Sequence, residues 1–409
     1  MSACGDLEAM YRAGIRAVAG RPAVREWLRA HPLSGQWHLI AVGKAAAAMT
    51  LGARDVLGER LLGGLVITRE GYEDPALDGV PGLRMISSAH PVPDARSLAA
   101  GDAAVTLLEE APADARFLVL ISGGASALME RLPGGAGEAE LAALNRRMLA
   151  GGLAIGDMNR IRRRFSTVKG GRLGVRLAGR TACQLIISDV PGDDPAVIGS
   201  GPFVAAPASD AGALPEGYDE LMPVADPSPT PDDPGLGGLD THLVATNRHA
   251  VEAAAAEARR LGYAVHDHAD DPLEGDAVAL GHRIGAGLRD APPGVHLRGG
   301  EPTVVLPENP GRGGRMQALA LAAACELAGS AGTGLLAGGT DGADGASEAA
   351  GALVDGGTLR RGAAYGADAE TALRRADAGG FLSCSGDLIE TGPTGTNVMD
   401  LVIGLREAE

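Results

Sequence analysis

The 409-residue chain has only four cysteines, Cys4, Cys183, Cys325 and Cys384, set far apart and forming no CxxC pair. That spacing argues against a zinc site or a disulfide framework and reads as reduced, buried thiols. Basic residues are in deficit, 36 against 52 acidic, for a formal charge of −16. A general nucleic-acid or anionic-membrane surface would need the opposite sign, although a local arginine cluster can still receive a small anion. No apolar run reaches the roughly 18 residues of a membrane span. The N-terminal "MSACGDLEAMYRAGIRAV" carries acids within an amphipathic pattern rather than a signal-peptide core. The expectation is a cytoplasmic protein with no nucleic-acid or membrane partner. Three motifs are also missing. Without GxxxxGK[ST] there is no Walker-type phosphate loop. Without GxGxxG after a strand the usual dinucleotide fingerprint is absent, and without GxSxG there is no nucleophile elbow.

What is abundant is glycine, 62 residues, in a chain that is 45% hydrophobic and 3% aromatic. Apolar runs alternate with helical patterns. "WHLIAVG" leads into "KAAAAMTLGARDVL", "GGLVIT" and "LRMISSAH" follow, "FLVLISGG" leads into "ASALME", and "CQLIISD" precedes "DDPAVIGSGP". Strand, loop and helix repeated in this way predict a doubly wound α/β domain. Residues 138–155 and 160–177 read as helices. From Ala205 the chain becomes dense in Pro, Asp and Gly and reads as an irregular connector. We place a domain boundary near residue 235, giving an N-terminal domain over 1–235 and a smaller α/β domain over 236–409. In the latter, "THLVATN" opens a strand, "GVHLRGGEPTVVLP" suggests two strands around a loop, and "TGPTGTNVMDLVIGL" is a Gly/Thr loop entering a strand.

In open α/β sheets ligands gather at the carboxyl ends of strands. The residues following the apolar runs here are unusually polar: Lys44, Ser122 and Ser126, Asp189, Glu301 and Asp341. "SGGAS", with Gly123 and Gly124, fits a loop whose backbone approaches a phosphate or carboxylate ahead of a helix; an ordinary tight turn fits it equally. Lys44 at a helix start opposes the helix dipole, a conflict that an anion would remove. Arg312 and Arg315 in "GRGGRMQ" raise the same conflict at the head of a long apolar helix, and guanidinium forks hold phosphate or carboxylate in bidentate fashion. Asp189, Asp193, Glu301 and Asp341 have the chemistry to hold a divalent metal, orient a hydroxyl or cap backbone amides. "TDGADG" lacks the full calcium-loop pattern, and His90, just before a turn fixed by the prolines on either side of Val92, reads as structural.

Taken together, "AVGKAA", "SSAHPVPD", "LISGGASALM", "STVKGGRL", "ISDVPGDDPAVIGSGP", "GGEPTV", "GRGGRMQ", "GGTDGADG" and "TGPTGTNVMDL" resemble the glycerate 2-kinase family, whose C-terminal part is the MOFRL domain. The resemblance runs from about residue 5 to 405. It implies a Rossmann-like domain, a smaller α/β domain and an active site in the cleft between them. It also implies ATP-dependent phosphorylation of D-glycerate at the 2-hydroxyl with a divalent cation such as Mg²⁺. By the same resemblance the essential lysine matches Lys44 and the essential arginine Arg315. Ser122, Gly123, Gly124 and Ser126 match the phosphate cradle, and Asp189, Glu301, Asp341 and Asn397 match motif positions. Within that scheme we assign Lys44, Arg315 and Asp189 to catalysis, and Glu301, Asp341 and Asp193 to the metal. Ser122, Gly123, Gly124, Ser126, Arg312 and Asn397 are assigned to substrate or nucleotide. The family usually has GRGGRNQE and TGTNVND; here Met316, Ala318 and Met399 stand at three of those positions and raise the possibility of a different hydroxy acid. A longer aldonic acid, a nicotinamide-dependent hydroxypyruvate reductase and a non-catalytic sugar-phosphate sensor stay open as alternatives.

Overall fold

The computed structural model describes residues 3–150, 153, 155–206, 214–218 and 220–408. The apolar runs form strands as expected. β1 (Trp37–Val42), β2 (Leu61–Arg69), β3 (Leu83–Ser88), β4 (Phe117–Ile121), β5 (Ala182–Ile187) and β6 (Leu239–Ala245) make one six-stranded sheet in the order β3-β2-β1-β4-β5-β6. β1 to β5 pair in parallel. All five residues of β4 and all six of β5 are buried, which is why these strands read as continuous apolar runs without alternation. The helices around this sheet complete the first core through residues such as Ala100, Val105, Leu128 and Leu173.

A second six-stranded sheet is mixed. β7 (Val265–Asp267), β8 (Gly294–Gly300), β9 (Thr333–Gly339), β10 (Gly351–Asp355), β11 (Leu388–Ile389) and β12 (Asp400–Arg406) lie in the order β11-β10-β9-β12-β8-β7. Only β7 and β8 pair in parallel; β12 runs antiparallel to both β8 and β9. The buried helix Arg315–Leu327 packs in the core of this part beside helix Ala277–Asp290.

The chain divides into two compact units, Ala19–Val244 and Met1–Val18 with Ala245–Glu409. The sequence reading put residues 1–18 with the first domain. Helix Ala3–Val18 instead buries Leu7, Met10 and Tyr11 in the second unit, where Tyr11 donates its hydroxyl to Gly339 O at 2.5 Å. Likewise "THLVATN" is not the opening of the second domain: it supplies β6, the last strand of the first sheet.

Other expectations are corrected. Residues 207–213 and 219 of the expected connector lie outside the described residues, but the remainder is more than a linker. Tyr218 and Met222 are buried with Leu141, Leu144, Ile161 and Phe165 in a satellite core of the first unit. The helix expected over 160–177 stops at Arg164, and Gly170 and Gly171, with φ of 59° and 84°, keep the chain out of helical conformation until the short helix Arg172–Val175. The second strand of "GEPTVVLP" does not form; Pro302 and Pro307 interrupt ladder bonding, and Val305 and Leu306 are exposed.

Candidate active site

The strand order of the first sheet is that of a doubly wound dinucleotide-type fold, and its reversal falls between β1 and β4. Side chains at the carboxyl ends of these two strands therefore flank the crevice where such folds take ligands. β1 ends in Gly43-Lys44 and β4 in Ser122-Gly123-Gly124. The two turns are bonded to each other. Lys44 N donates to Gly123 O at 2.9 Å, and Ala45 N donates to Ser122 Oγ at 3.0 Å. Asp189 follows the neighbouring β5, half-buried on the same edge, with Asp193 in the same loop.

Ser122 is fully buried and its hydroxyl is occupied by the Ala45 amide, so it builds the loop rather than facing a ligand. Ser126 is half-buried and shares a 2.8 Å hydrogen bond with Ser200. Gly124 takes φ 85°, and among the described residues the amides of Gly123 and Gly124 have no protein acceptor. The helix that follows, Ala125–Leu128, is only four residues long. The expected helix dipole is thus a minor part of this loop; the two orphan amides and Lys44 are what it offers an anion.

Gly43 is where the two turns come closest. It has φ 134°, and a Cβ there would sit 2.1 Å from Ser122 Oγ and 2.5 Å from Ser122 O. Gly43→Ala must push the loops apart. We expect it to lower turnover at least about 10²-fold, the scale on which misplacing a catalytic group by about 1 Å acts, and to lower the melting temperature. Steady-state kinetics with a thermal melt checks both.

A cavity of about 200 Å³ opens beside the loop, lined by Gly124, Ser126, His90, Asn145 and Arg162 among others. His90, set aside as structural in the sequence, is in fact a wall of this cavity: a Cβ on Gly124 would come 3.1 Å from its ring. Arg162 and Asn145 were not singled out at all. They lie in helical segments that carry several other charged residues, and no spacing marks them.

In the second unit Arg315 opens helix Arg315–Leu327 after Gly314. Its Nε donates to Asp400 Oδ2 at 2.6 Å and its Nη2 to Asp400 Oδ1 at 3.3 Å, while Nη1 donates to Glu301 Oε1 at 2.7 Å. Asp400, the first residue of β12, is buried; Glu301, just past β8, is 38% exposed. Asp344 accepts from the amides of Met316 and Gln317 at 3.1 and 2.8 Å, capping the same helix from a distant loop. Asp341, after β9, accepts from Ala343 N at 3.2 Å. Asn397 Oδ1 accepts from Met399 N at 3.4 Å. Arg312 is exposed, its backbone amide held by Asp377 Oδ1 at 2.8 Å. Glu301 thus serves as a partner of Arg315. Asp400 and Asp344 are the site residues that sequence reasoning passes over, although both lie inside the family motifs.

One guanidinium among several carboxylates leaves this cluster short of positive charge. Burial, with Asp344 and Glu301 adding to it, pushes Asp400 up to about 7 although Arg315 pulls the other way. Burial likewise pushes Asp344 up to about 6 against its two amide donors. For Arg315 burial acts downward, but the charge and hydrogen bond of Asp400 hold it above its ordinary value. A carboxyl raised above its unfolded value contributes stability that is complete below the unfolded pKa and is lost as pH rises through the folded one. The Asp400 contribution therefore disappears between about pH 4 and 7. Melting temperatures across that range should show Asp400→Asn losing less stability than the wild type as pH rises.

Among the described residues no group of three or more His, Cys, Asp or Glu is placed to hold a metal ion. The departures from the family pattern have structural readings. Met316 and Ala318 are buried in the core of the second unit. Met399 is buried with φ 67°, a left-handed conformation that asparagine adopts more readily than methionine.

The fold and these loops define an α/β protein with glycine-rich loops at the carboxyl edge of a Rossmann-ordered sheet. Residues 6–219 match the family described as a domain of unknown function, DUF4147, and residues 294–400 match the MOFRL family. A D-glycerate 2-kinase of Thermotoga maritima is 35% identical, over 90% of this chain and 90% of its own. A putative hydroxypyruvate reductase of Agrobacterium vitis is 36% identical, over 98% of this chain and 94% of its own. The crystal structure of a Thermotoga maritima glycerate kinase superposes with a TM-score of 0.85 at 32% identity, covering 98% of this chain and 99% of that one. The chain belongs to the MOFRL-containing glycerate kinase family.

Proposed function

We propose that this protein is an ATP-dependent kinase that phosphorylates D-glycerate at the 2-hydroxyl, giving 2-phosphoglycerate. The observation that carries the reading is the pair of orphan amides at Gly123 and Gly124 beside Lys44, at the switch point of the first sheet. Phosphoryl transfer asks a protein mainly for positioning and for neutralisation of charge on the equatorial oxygens. In this reading the two amides and Lys44 receive phosphate oxygens. The 2-oxygen of glycerate bonds to the γ-phosphorus as the bond to the β–γ bridging oxygen breaks. ADP leaves, and the hydroxyl proton passes to Asp189. Asp400 fixes the plane of Arg315, and exchange of its exposed partner Glu301 frees one edge of the fork for a phosphate or carboxylate.

A magnesium ion, when bound, would neutralise charge on the phosphates. Magnesium keeps several waters and needs only one or two carboxylates when phosphates supply other ligands. Asp193 suits a cation arriving with nucleotide; the described residues do not form a metal cage of their own. Among the described residues no helix is long and apolar enough to cross a membrane, and we place the enzyme in the cytoplasm with a small hydroxy acid as its partner molecule.

The strand order itself suits a dinucleotide, which keeps hydroxypyruvate reduction as the second reading. The turn after β1, Gly43-Lys44-Ala45, lacks the further glycines of that fingerprint. Two assays on the same preparation separate the readings. ADP release from ATP and magnesium stimulated by D-glycerate supports the kinase; NADH oxidation with hydroxypyruvate and no ADP release would replace it by the reductase.

A further inference from the structure

The arginine-rich helix Ile155–Arg164 holds one cation with a use still to be explained. Arg160 is paired with Asp157 at 3.0 Å. Arg163 is buried and donates to Ala196 O, and Arg164 is exposed. Arg162 is half-buried and lines the cavity beside Gly124. Its guanidinium donates to Asn159 Oδ1 at 3.2 Å, and among the described residues no carboxylate is in ion-pair range of it. The nearest buried acid on the cavity wall, Glu130, is held by Lys169 at 2.5 Å, with both side chains almost fully buried. Those two charges cancel, and the cavity is left with the single positive charge of Arg162.

The rest of the lining fits a short polyol acid. Asn145 donates its amide to Leu141 O at 3.0 Å, which leaves its Oδ1 as an acceptor, and Ser126 brings a hydroxyl from the phosphate-binding loop. Leu141, Leu144 and Met148 supply apolar wall. At about 200 Å³ the cavity is smaller than the roughly 300–1,000 Å³ that drug-sized ligands occupy.

We propose that Arg162 is the carboxylate anchor of the acceptor: it binds the carboxylate of a short 2-hydroxy acid in this cavity, with Asn145 reading a hydroxyl. The proposal rests on the kinase reading and deepens it by placing carboxylate recognition at Arg162 and leaving the Arg315 fork to phosphate. Arg162 is also held below its ordinary pKa by burial, opposed by Glu130, so a bound anion relieves a real cost. The size of the cavity makes chain length a second filter, favouring three-carbon acids over longer aldonic acids.

The test is steady-state kinetics of ADP release for wild type, Arg162→Gln and Arg162→Lys, with D-glycerate and ATP each varied. Losing hydrogen bonds to a charged group corresponds to about 10- to 100-fold. Arg162→Gln is expected to raise the D-glycerate KM on that scale with the ATP KM within about twofold. It should also lose the melting-temperature rise that D-glycerate gives the wild type while keeping the rise given by ATP. Arg162→Lys, which keeps charge but not the planar fork, should fall between, and it decides the matter if the glutamine variant does not fold. Wild-type-like D-glycerate KM and thermal shift in either folded variant would overturn the anchor while leaving the kinase intact. Absence of acid-stimulated ADP release by the wild type would overturn the kinase reading, and the anchor with it.

Discussion

Arg315→Ala is expected to lower turnover by about 10²- to 10³-fold, the cost of losing a preorganised electrostatic stabiliser, and to lower stability as well. The second effect follows from Asp400, which is buried and bonded to Arg315 through two nitrogens. Breaking a buried pair by removing one partner costs about 3–5 kcal/mol; because burial already raises Asp400 to about 7, proton uptake reduces that loss near neutral pH. The double variant Arg315→Ala/Asp400→Asn separates the two roles. It should recover much of the melting temperature and none of the turnover. Recovery of both would make Arg315 a purely structural residue.

Lys44→Ala should show the first effect with a smaller share of the second. The turn that carries Lys44 is held by its backbone: Gly43 N donates to Ile67 O, Lys44 N to Gly123 O, and Ala45 N to Ser122 Oγ. Truncating the half-buried side chain leaves those backbone bonds in place, so the melting temperature should fall less than in Arg315→Ala, where a buried carboxylate loses its partner. Turnover should fall by about 10²- to 10³-fold. A variant that melts normally and turns over normally would remove Lys44 from the mechanism and leave the glycine amides to act alone.

Lys44 and Arg315 are legible in the sequence because each stands beside glycines at the head of a helical pattern, a context in which a cation is conspicuous. The strands of the first sheet are legible because burial on both faces writes them as unbroken apolar segments. Asp400 is hidden: an acid at the start of a strand has no local signature, and only the β8–β12 pairing and the fold of helix Arg315–Leu327 bring it to Arg315. Arg162 is hidden in a row of arginines, and its distinction is what it lacks in three dimensions. The role of Tyr218 and Met222 is hidden by their spacing, since two apolar residues among Pro, Asp and Gly show no period. Ser122 is conspicuous in the sequence as a hydroxyl beside glycines, but its hydroxyl accepts from the Ala45 amide and holds the two turns together.

The kinase assignment rests on the identity of one product. Wild-type enzyme incubated with ATP, magnesium and D-glycerate, followed by phosphorus NMR, should show ADP forming in step with a phosphomonoester on the 2-oxygen of glycerate. A phosphomonoester on the 3-oxygen, or ATP left intact while NADH and hydroxypyruvate are consumed, would contradict it.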